Sequence, residues 1–284
     1  MTSRPYPPGM TIQGRPVGEM LRMWRQRRSL SQLELALRAE VSARHVSFLE
    51  TGRSQPSREM LLHLAEELDV PLNDRNALLV AAGFAPVYSE RNLDDPALRA
   101  AREAVDLVLT GHEPYPALAV DRHWTLLASN RAVGSLLAGI APEMLQPPLN
   151  VLRLSLHPSG LAPRIANLEQ WRSHVLTRLH RQIELTADST LSALHEELRG
   201  YASHGGSSHA SQGPAREQEY AGVVVPLRLQ TPQGLLSLFS TTTVFGTATD
   251  ITLAGLAIES FFPADAATAE VLKRAAADWP STAT

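Results

Sequence analysis

Apolar positions from Val17 to Gly83 recur at steps of three and four, the spacing that aligns side chains on one face of a helix. The recurrence is broken at polar and glycine-bearing stretches, so the segment predicts five short helices. Val17 to Arg28 turns Leu21 and Trp24 inward. Ser31 with Glu34 forms a capping box at the head of a second helix, Gln32 to Ala39, whose Leu35 and Ala36 face the core. Glu40 and Val41 make a tight turn. Ser42 caps a third helix, Ala43 to Glu50, which buries Val46 and Leu49, and Gly52 ends it. Ser57 caps a fourth helix to Leu68, and Leu72 to Ala82 gives the fifth.

Tyr88 to Asp95 is polar and reads as a linker, and Pro96 to Leu109 returns to helical spacing. Gly111 to Pro116 is a stop rich in turn formers. The period then changes. Ala117–Val120 and Trp124–Ala128 are short apolar runs, with Asp121 and Arg122 able to turn between them; Asn130 to Ala138 is helical, and Asn150 to Leu156 is apolar and alternating. Leu168 to Leu185 is an amphipathic helix with Trp171, Val175, Leu179 and Ile183 at steps of four, and Ser189 to Tyr201 is another helix. Ser203 to Gln218 is low-complexity and reads as a mobile loop. Ala221–Leu229, Gly234–Thr243 and Ala254–Phe262 are strand candidates, and Pro263–Trp279 closes as a helix with Asp265 as its N-cap. The expected organisation is a flexible lead over 1–15, a helical domain over 16–88, a connecting segment over 89–110, and an α+β domain with an antiparallel sheet over 111–284.

A length of 284 residues suits two domains, and 44 % hydrophobic against 19 % charged residues supplies two cores. No window approaches the ~18 uninterrupted apolar residues of a membrane span. Met1 to Met10 is proline-rich without an apolar run, so no signal peptide is expected. The absence of cysteine excludes disulfides, thiol nucleophiles and cysteine-ligated zinc, and fits a cytoplasmic location. The net charge of −3 conceals a division: Arg15 to Arg58 holds nine arginines against four glutamates, which with Arg4 leaves −9 for the rest. A basic block followed by an acidic remainder predicts two surfaces with different partners.

The basic block is the helical one, and its geometry suits DNA. A short turn between the second and third helices sets them nearly perpendicular, so that the third projects into the major groove while the second crosses the phosphates. The outward residues of the third helix are Ala43, Arg44, His45, Ser47 and Phe48. Arg44 can present a bidentate fork to guanine, Ala43 and Phe48 can meet a thymine methyl, and Gln32 and Ser42 can reach phosphates. Leu30 to Ser57, LSQLELALRAEVSARHVSFLETGRSQPS, resembles the Cro/phage-repressor-like (XRE) family in its Ser-Gln opening, Leu35-Ala36, Val41-Ser42 and Leu49-Glu50-x-Gly52. The resemblance implies a lambda-repressor-like domain, a double-stranded DNA operator as partner, and an ion pair between Arg25 and Glu50. Glu40 departs from it, standing where the family often has Gly, and requires a left-handed backbone or a different turn. Because one helix-turn-helix covers a half-site, a homodimer is expected.

The segment Ala117 to Leu137, a hairpin then a helix with Asn130 at the hinge, resembles a PAS domain. HEPYPALAVDRHW, NVLRLSLHPSGLAP and STTTVFGTATDITLAGLAIESFFPADAATAEVL, taken with the helical segment, resemble the MmyB-like transcription regulators over Val17 to Leu272. That resemblance implies a PAS-like ligand-binding domain and a fatty acid as the possible bound molecule, with no other cofactor. Such a pocket needs apolar walls and one or two groups for a head. Trp124, Leu154, Leu156, Trp171, Val175, Leu179, Leu236, Leu238 and Phe239 are wall candidates, although most read equally as core. Head-group candidates are Asn130, Arg153, His157 and Arg172, against which stand a helix cap, a turn and two solvated arginines.

No nucleophile elbow, P-loop or dinucleotide fingerprint is present. His195, His204 and His209 match no zinc spacing, and Glu113, Glu196 and Glu197 form no acid/base pair, so neither a metal site nor an enzyme is expected. The alternative function is a DNA-binding regulator whose C-terminal domain serves only dimerisation or protein binding.

Overall fold

The computed structural model describes residues 14–201, 224–246, 248–277 and 279. Most of the lead over 1–15, the Ser203–Gln218 loop with its two histidines, and the start of the Ala221–Leu229 strand candidate lie outside the described residues. The chain divides into two compact units. The first holds residues up to Asn92 with Arg181–Ser192 and Thr247–Ala254, and the second holds the remainder.

In the first unit α1 (Val17–Arg27), α2 (Gln32–Arg38), α3 (Ala43–Glu50), α4 (Arg58–Glu67) and α5 (Leu72–Ala81) form the helix-turn-helix domain. Each expected cap is made. Ser31 Oγ accepts from Glu34 N while Glu34 accepts from Ser31 N, and Ser42 and Ser57 accept from His45 N and Met60 N. These bonds satisfy amide donors that the helices leave orphaned. Glu40 takes the left-handed backbone that the α2–α3 turn requires, with φ +53°. The core is continuous through Met20, Leu21, Trp24, Leu35, Leu49, Leu61, Leu64, Leu78 and Leu79. Gly18 lets α1 approach α3: a Cβ there would stand 2.3 Å from Leu49 O. Arg25 and Glu50 form a bidentate pair inside this core, at 2.6 and 2.8 Å, with side chains 9 % and 2 % exposed. Arg25 Nη1 also donates to Leu30 O at 2.7 Å.

The second unit opens with a 3-10 turn, Pro96–Leu98, running into α6 (Arg99–Gly111). β1 (Ala117–Val120), β2 (Leu126–Ser129), α7 (Arg131–Leu136), α8 (Val151–Leu156), α9 (Leu168–Thr186) and α10 (Ser189–Gly200) follow, the α9–α10 corner belonging to the first unit. β3 (Leu227–Thr231) and β4 (Gly234–Val244) come next. α11 (Ile251–Ala254), a first-unit segment, then precedes β5 (Ala257–Pro263) and α12 (Ala266–Ala277). The strands make one antiparallel sheet in the order β2-β1-β5-β4-β3, the PAS-like α+β architecture. The last strand therefore fills the middle, pairing Ala119 with Ile258 on one side and Thr242 with Glu259 on the other. Asn130 is buried at the hinge: its Oδ1 accepts from Ala117 N, and its Nδ2 donates to Leu109 O and Tyr115 O. Asp265 caps α12 by accepting from Thr268 N.

Three segments depart from the sequence pattern; in the first, Pro263, expected to open the closing helix, instead ends β5, and α12 begins at Ala266. Asn150–Leu156, apolar and alternating, is the helix α8, with Asn150 Oδ1 accepting from Arg153 N. Over so short a run Leu152 and Leu156 satisfy helical spacing as well as alternation, and the cap decides between them. In the strand candidate Ala254–Phe262 the first residue ends α11, so that β5 begins at Ala257.

The buried pair yields a stability prediction. Glu50→Ala leaves the Arg25 guanidinium without its counterion and should destabilise the helix-turn-helix domain by about 3 kcal/mol or more in denaturant unfolding. A loss below about 1 kcal/mol would place the pair among solvent-screened surface pairs.

Candidate functional site

The DNA-reading candidate is α3, held by Val46 and Leu49 against the core with its other face outward. Arg44 is exposed, with its guanidinium carbon 5.1 Å from the Phe48 ring centre and Arg53 approaching the same ring at 5.9 Å. Stacking on an aromatic face restrains a long side chain that would otherwise lose its freedom on docking. His45, Ser47 and Phe48 are half-buried, Ala43 packs partly on the core, and Ser42 is exposed with its hydroxyl capping the helix. Gln32 is placed differently from the others. Its amide nitrogen donates to Glu50 Oε2 at 2.8 Å, which joins it to the buried ion pair. Arg22, Arg38, Arg53 and Arg58 are exposed on this unit, positive charge of the kind that attracts phosphates.

Within the second unit the helices do not fill the face of the sheet that they cover. They leave an open cavity whose empty space, with the solvent at its mouth included, is about 990 Å³. Leu118, Leu126, Leu229 and Phe261 come from the strands, Leu152 and Leu154 from α8, and Trp171 and Val175 from α9. Trp124 closes the β1–β2 connection over the cavity in a left-handed backbone, φ +68°. A bulky residue rarely adopts this conformation, and the surroundings must enforce it. Asp121 does so in part, its Oδ1 accepting from both His123 N and Thr125 N at 2.8 Å.

The wall is polar in few places. Trp171 Nε1 donates to Ser155 Oγ at 2.8 Å, and His174 stacks on Trp171. Ser240, Arg178 and Glu259 complete the polar part. Arg178 pairs with Glu259 at 2.5 and 3.0 Å, donates to Thr242 Oγ1 at 2.7 Å, and lies with its guanidinium carbon 4.6 Å from the Trp124 ring centre. Glu259, on the central strand, has a side chain only 5 % exposed, whereas that of Arg178 is 35 % exposed.

Of the ligand residues expected from sequence, Trp124, Trp171 and Val175 line the cavity together, as does Leu154. Leu156, Leu179, Leu236 and Leu238 are buried in the core and do not line it, and Phe239 stacks on Phe262. The four head-group candidates stand elsewhere. Asn130 is the hinge latch described above. Arg153 pairs with Glu197 at 2.6 Å, His157 Nδ1 accepts from Ser159 N in a turn, and Arg172 donates to the carbonyls of Arg199 and Tyr201 at the end of α10. Sequence reasoning missed Arg178, Glu259, His174 and Ser240. Arg178 had a signal, being three residues beyond Val175 on the face already marked by Trp171 and Val175. Glu259 had one too, a lone charge inside an apolar strand, which demands a buried partner.

Glu197 is held at about 2 by the Arg153 guanidinium, with the Tyr201 hydroxyl also donating to it, and Tyr201 is pushed up to about 12 by burial and by that carboxylate.

Comparison with known proteins supports these assignments at the level of domains. The model of the MmyB-like transcription regulator ligand binding domain matches residues 101–275, more than half of the chain, and a helix-turn-helix model matches residues 21–74. Among solved structures, the clp gene regulator ClgR from Corynebacterium glutamicum is 28 % identical over 38 % of this chain and 99 % of its own, with a TM-score of 0.21. An RNA-binding light-oxygen-voltage receptor is 12 % identical over 93 % of this chain and 64 % of its own, with a TM-score of 0.25. Comparison with curated proteins finds no match.

Two predictions follow from the geometry of these sites. Arg44→Ala should cost ~1–3 kcal/mol on the cognate operator and relax selectivity at one base position, read by binding to a set of single-base operator variants; equal weakening on cognate and random DNA would assign Arg44 to the backbone instead. The depressed Glu197 carboxyl contributes stability that is present above its unfolded value, near 4.5, and is lost as pH falls toward about 2. Glu197→Gln should therefore lose less stability than the parent chain across that window, as measured by unfolding at successive pH values.

Proposed function

The chain belongs to the MmyB-like transcription regulators, and from that premise we propose that its C-terminal PAS-like domain senses a small apolar ligand that is fatty-acid-like in its long chain. A DNA-binding transcription regulator is the function that its two matched domains share. The observation that carries the ligand reading is the cavity: apolar side chains line it on nearly every side, with few polar groups among them. A domain serving only dimerisation has no use for an unfilled interior, since each missing contact weakens the fold.

For the ligand to act as a switch it must favour one arrangement of the DNA-binding domains over another; equal affinity for both shifts nothing. We assign the lever to a homodimer acting in the cytoplasm, whose two helix-turn-helix domains meet half-sites about one DNA turn apart, ~34–36 Å. Within each chain the lever is assigned to the start of the second unit, the 3-10 turn Pro96–Leu98 and α6 (Arg99–Gly111), where the chain leaves the helix-turn-helix unit.

Operator affinity and dimerisation should differ between delipidated and ligand-loaded chain at one fixed salt concentration, since phosphate contacts make affinity salt-dependent. Identical values in the two forms would reduce the ligand to a filler of the fold.

A further inference from the structure

The cavity contains its own anion, and that decides what kind of head group it accepts. Its formally charged wall residues are Arg178 and Glu259, and they answer each other. Glu259 Oε1 takes bonds from Arg178 Nη2 and from Thr242 Oγ1 at 2.8 Å, and Oε2 takes Arg178 Nη1. The guanidinium fork that would clamp a carboxylate is thus engaged by one already, with the Trp124 ring over it.

We propose that the ligand of this cavity carries an uncharged polar head, such as a hydroxyl, amide, ester or lactone, in place of an ionised carboxylate; the inference rests on reading the cavity as a ligand site. A second carboxylate has two ways to enter, and both are unfavourable. It can displace Glu259 from Arg178, which strands an anion on the central strand with a side chain 5 % exposed. Alternatively it can lie beside the intact pair, facing the Glu259 carboxylate while the guanidinium of the wall is already engaged. An uncharged head avoids both. Ser240 lies on β4 two residues from Thr242, on the same side of the strand and so beside the pair, and its hydroxyl can donate or accept. Arg178 is partly exposed and Thr242 exposed, so this polar group stands toward the rim, with the apolar wall behind it for the chain.

The test compares dodecanol, dodecanamide and dodecanoate, which share one chain, on the delipidated full-length protein at mildly alkaline pH where the acid is ionised. Binding is followed by tryptophan fluorescence, because Trp124 and Trp171 line the cavity. The alcohol and the amide should bind roughly tenfold or more tightly than dodecanoate. Uncharged amphiphiles enter any apolar site more readily, so Glu259→Gln isolates the pair: the acid should gain roughly tenfold relative to the amide once Arg178 lacks its counterion. No gain in a folded variant overturns the proposal. So does dodecanoate binding the parent chain as tightly as the amide, a result that needs no variant and leaves the cavity reading intact. Failure of all three to bind would overturn the cavity reading itself, and the head-group assignment with it.

Discussion

A carboxylate on the central strand of a sheet has to be met by a cation, and the way Glu259 is met organises the second unit. Arg178 reaches it from α9, Thr242 bonds it from the neighbouring strand, and the Trp124 ring covers the guanidinium from the β1–β2 connection. Three elements distant in sequence are thereby tied to one point on the sheet. Removing the cation from so buried a carboxylate leaves an uncompensated charge. With α9 held at Arg178, the preceding turns of the helix set Trp171 and Val175 across the sheet from Leu118 and Leu229, and the space between them is the cavity. A pair that is merely structural elsewhere in proteins here also sets the charge that a ligand meets.

The first unit uses the same device for a different end. Arg25 and Glu50 join α1 to the end of α3, and Gln32 adds the start of α2 to the same carboxylate. Gly18 allows α1 to come close enough for this to happen. The result is a candidate reading helix whose inner face is fixed by Val46, Leu49 and a bidentate bond, while Arg44 and Phe48 remain on its other face. Rigidity of that kind limits the ordering cost of docking and is one reason that a short helix can specify bases.

Much of this was legible from local chemistry. Serine caps, the capping box at Ser31 and Glu34, and the turn at Glu40 are signals carried within a few residues, and each is realised. The hairpin-then-helix around Asn130 was legible for the same reason, although the asparagine's role as a three-way latch was not. What sequence could not supply was pairing at long range. That β5 enters the sheet between β1 and β4, that Arg153 is taken by Glu197, and that Arg178 is taken by Glu259 are facts of tertiary arrangement. A list of arginines on an apolar domain does not say which carboxylate each one meets. The alternation over Asn150–Leu156 misled because a single turn of helix and a short strand bury leucines at overlapping positions.

The central claim is that the cavity of the sheet domain is a seat for an apolar-chain molecule and not an imperfectly packed core. The most direct measurement is native mass spectrometry of the full chain purified from its host, followed by denaturation and analysis of what is released. The account predicts a mass in excess of the polypeptide that disappears on denaturation, with one apolar-chain molecule recovered per chain. A chain that carries only its own mass, and gains none when incubated with chain amphiphiles of either head type, would contradict it.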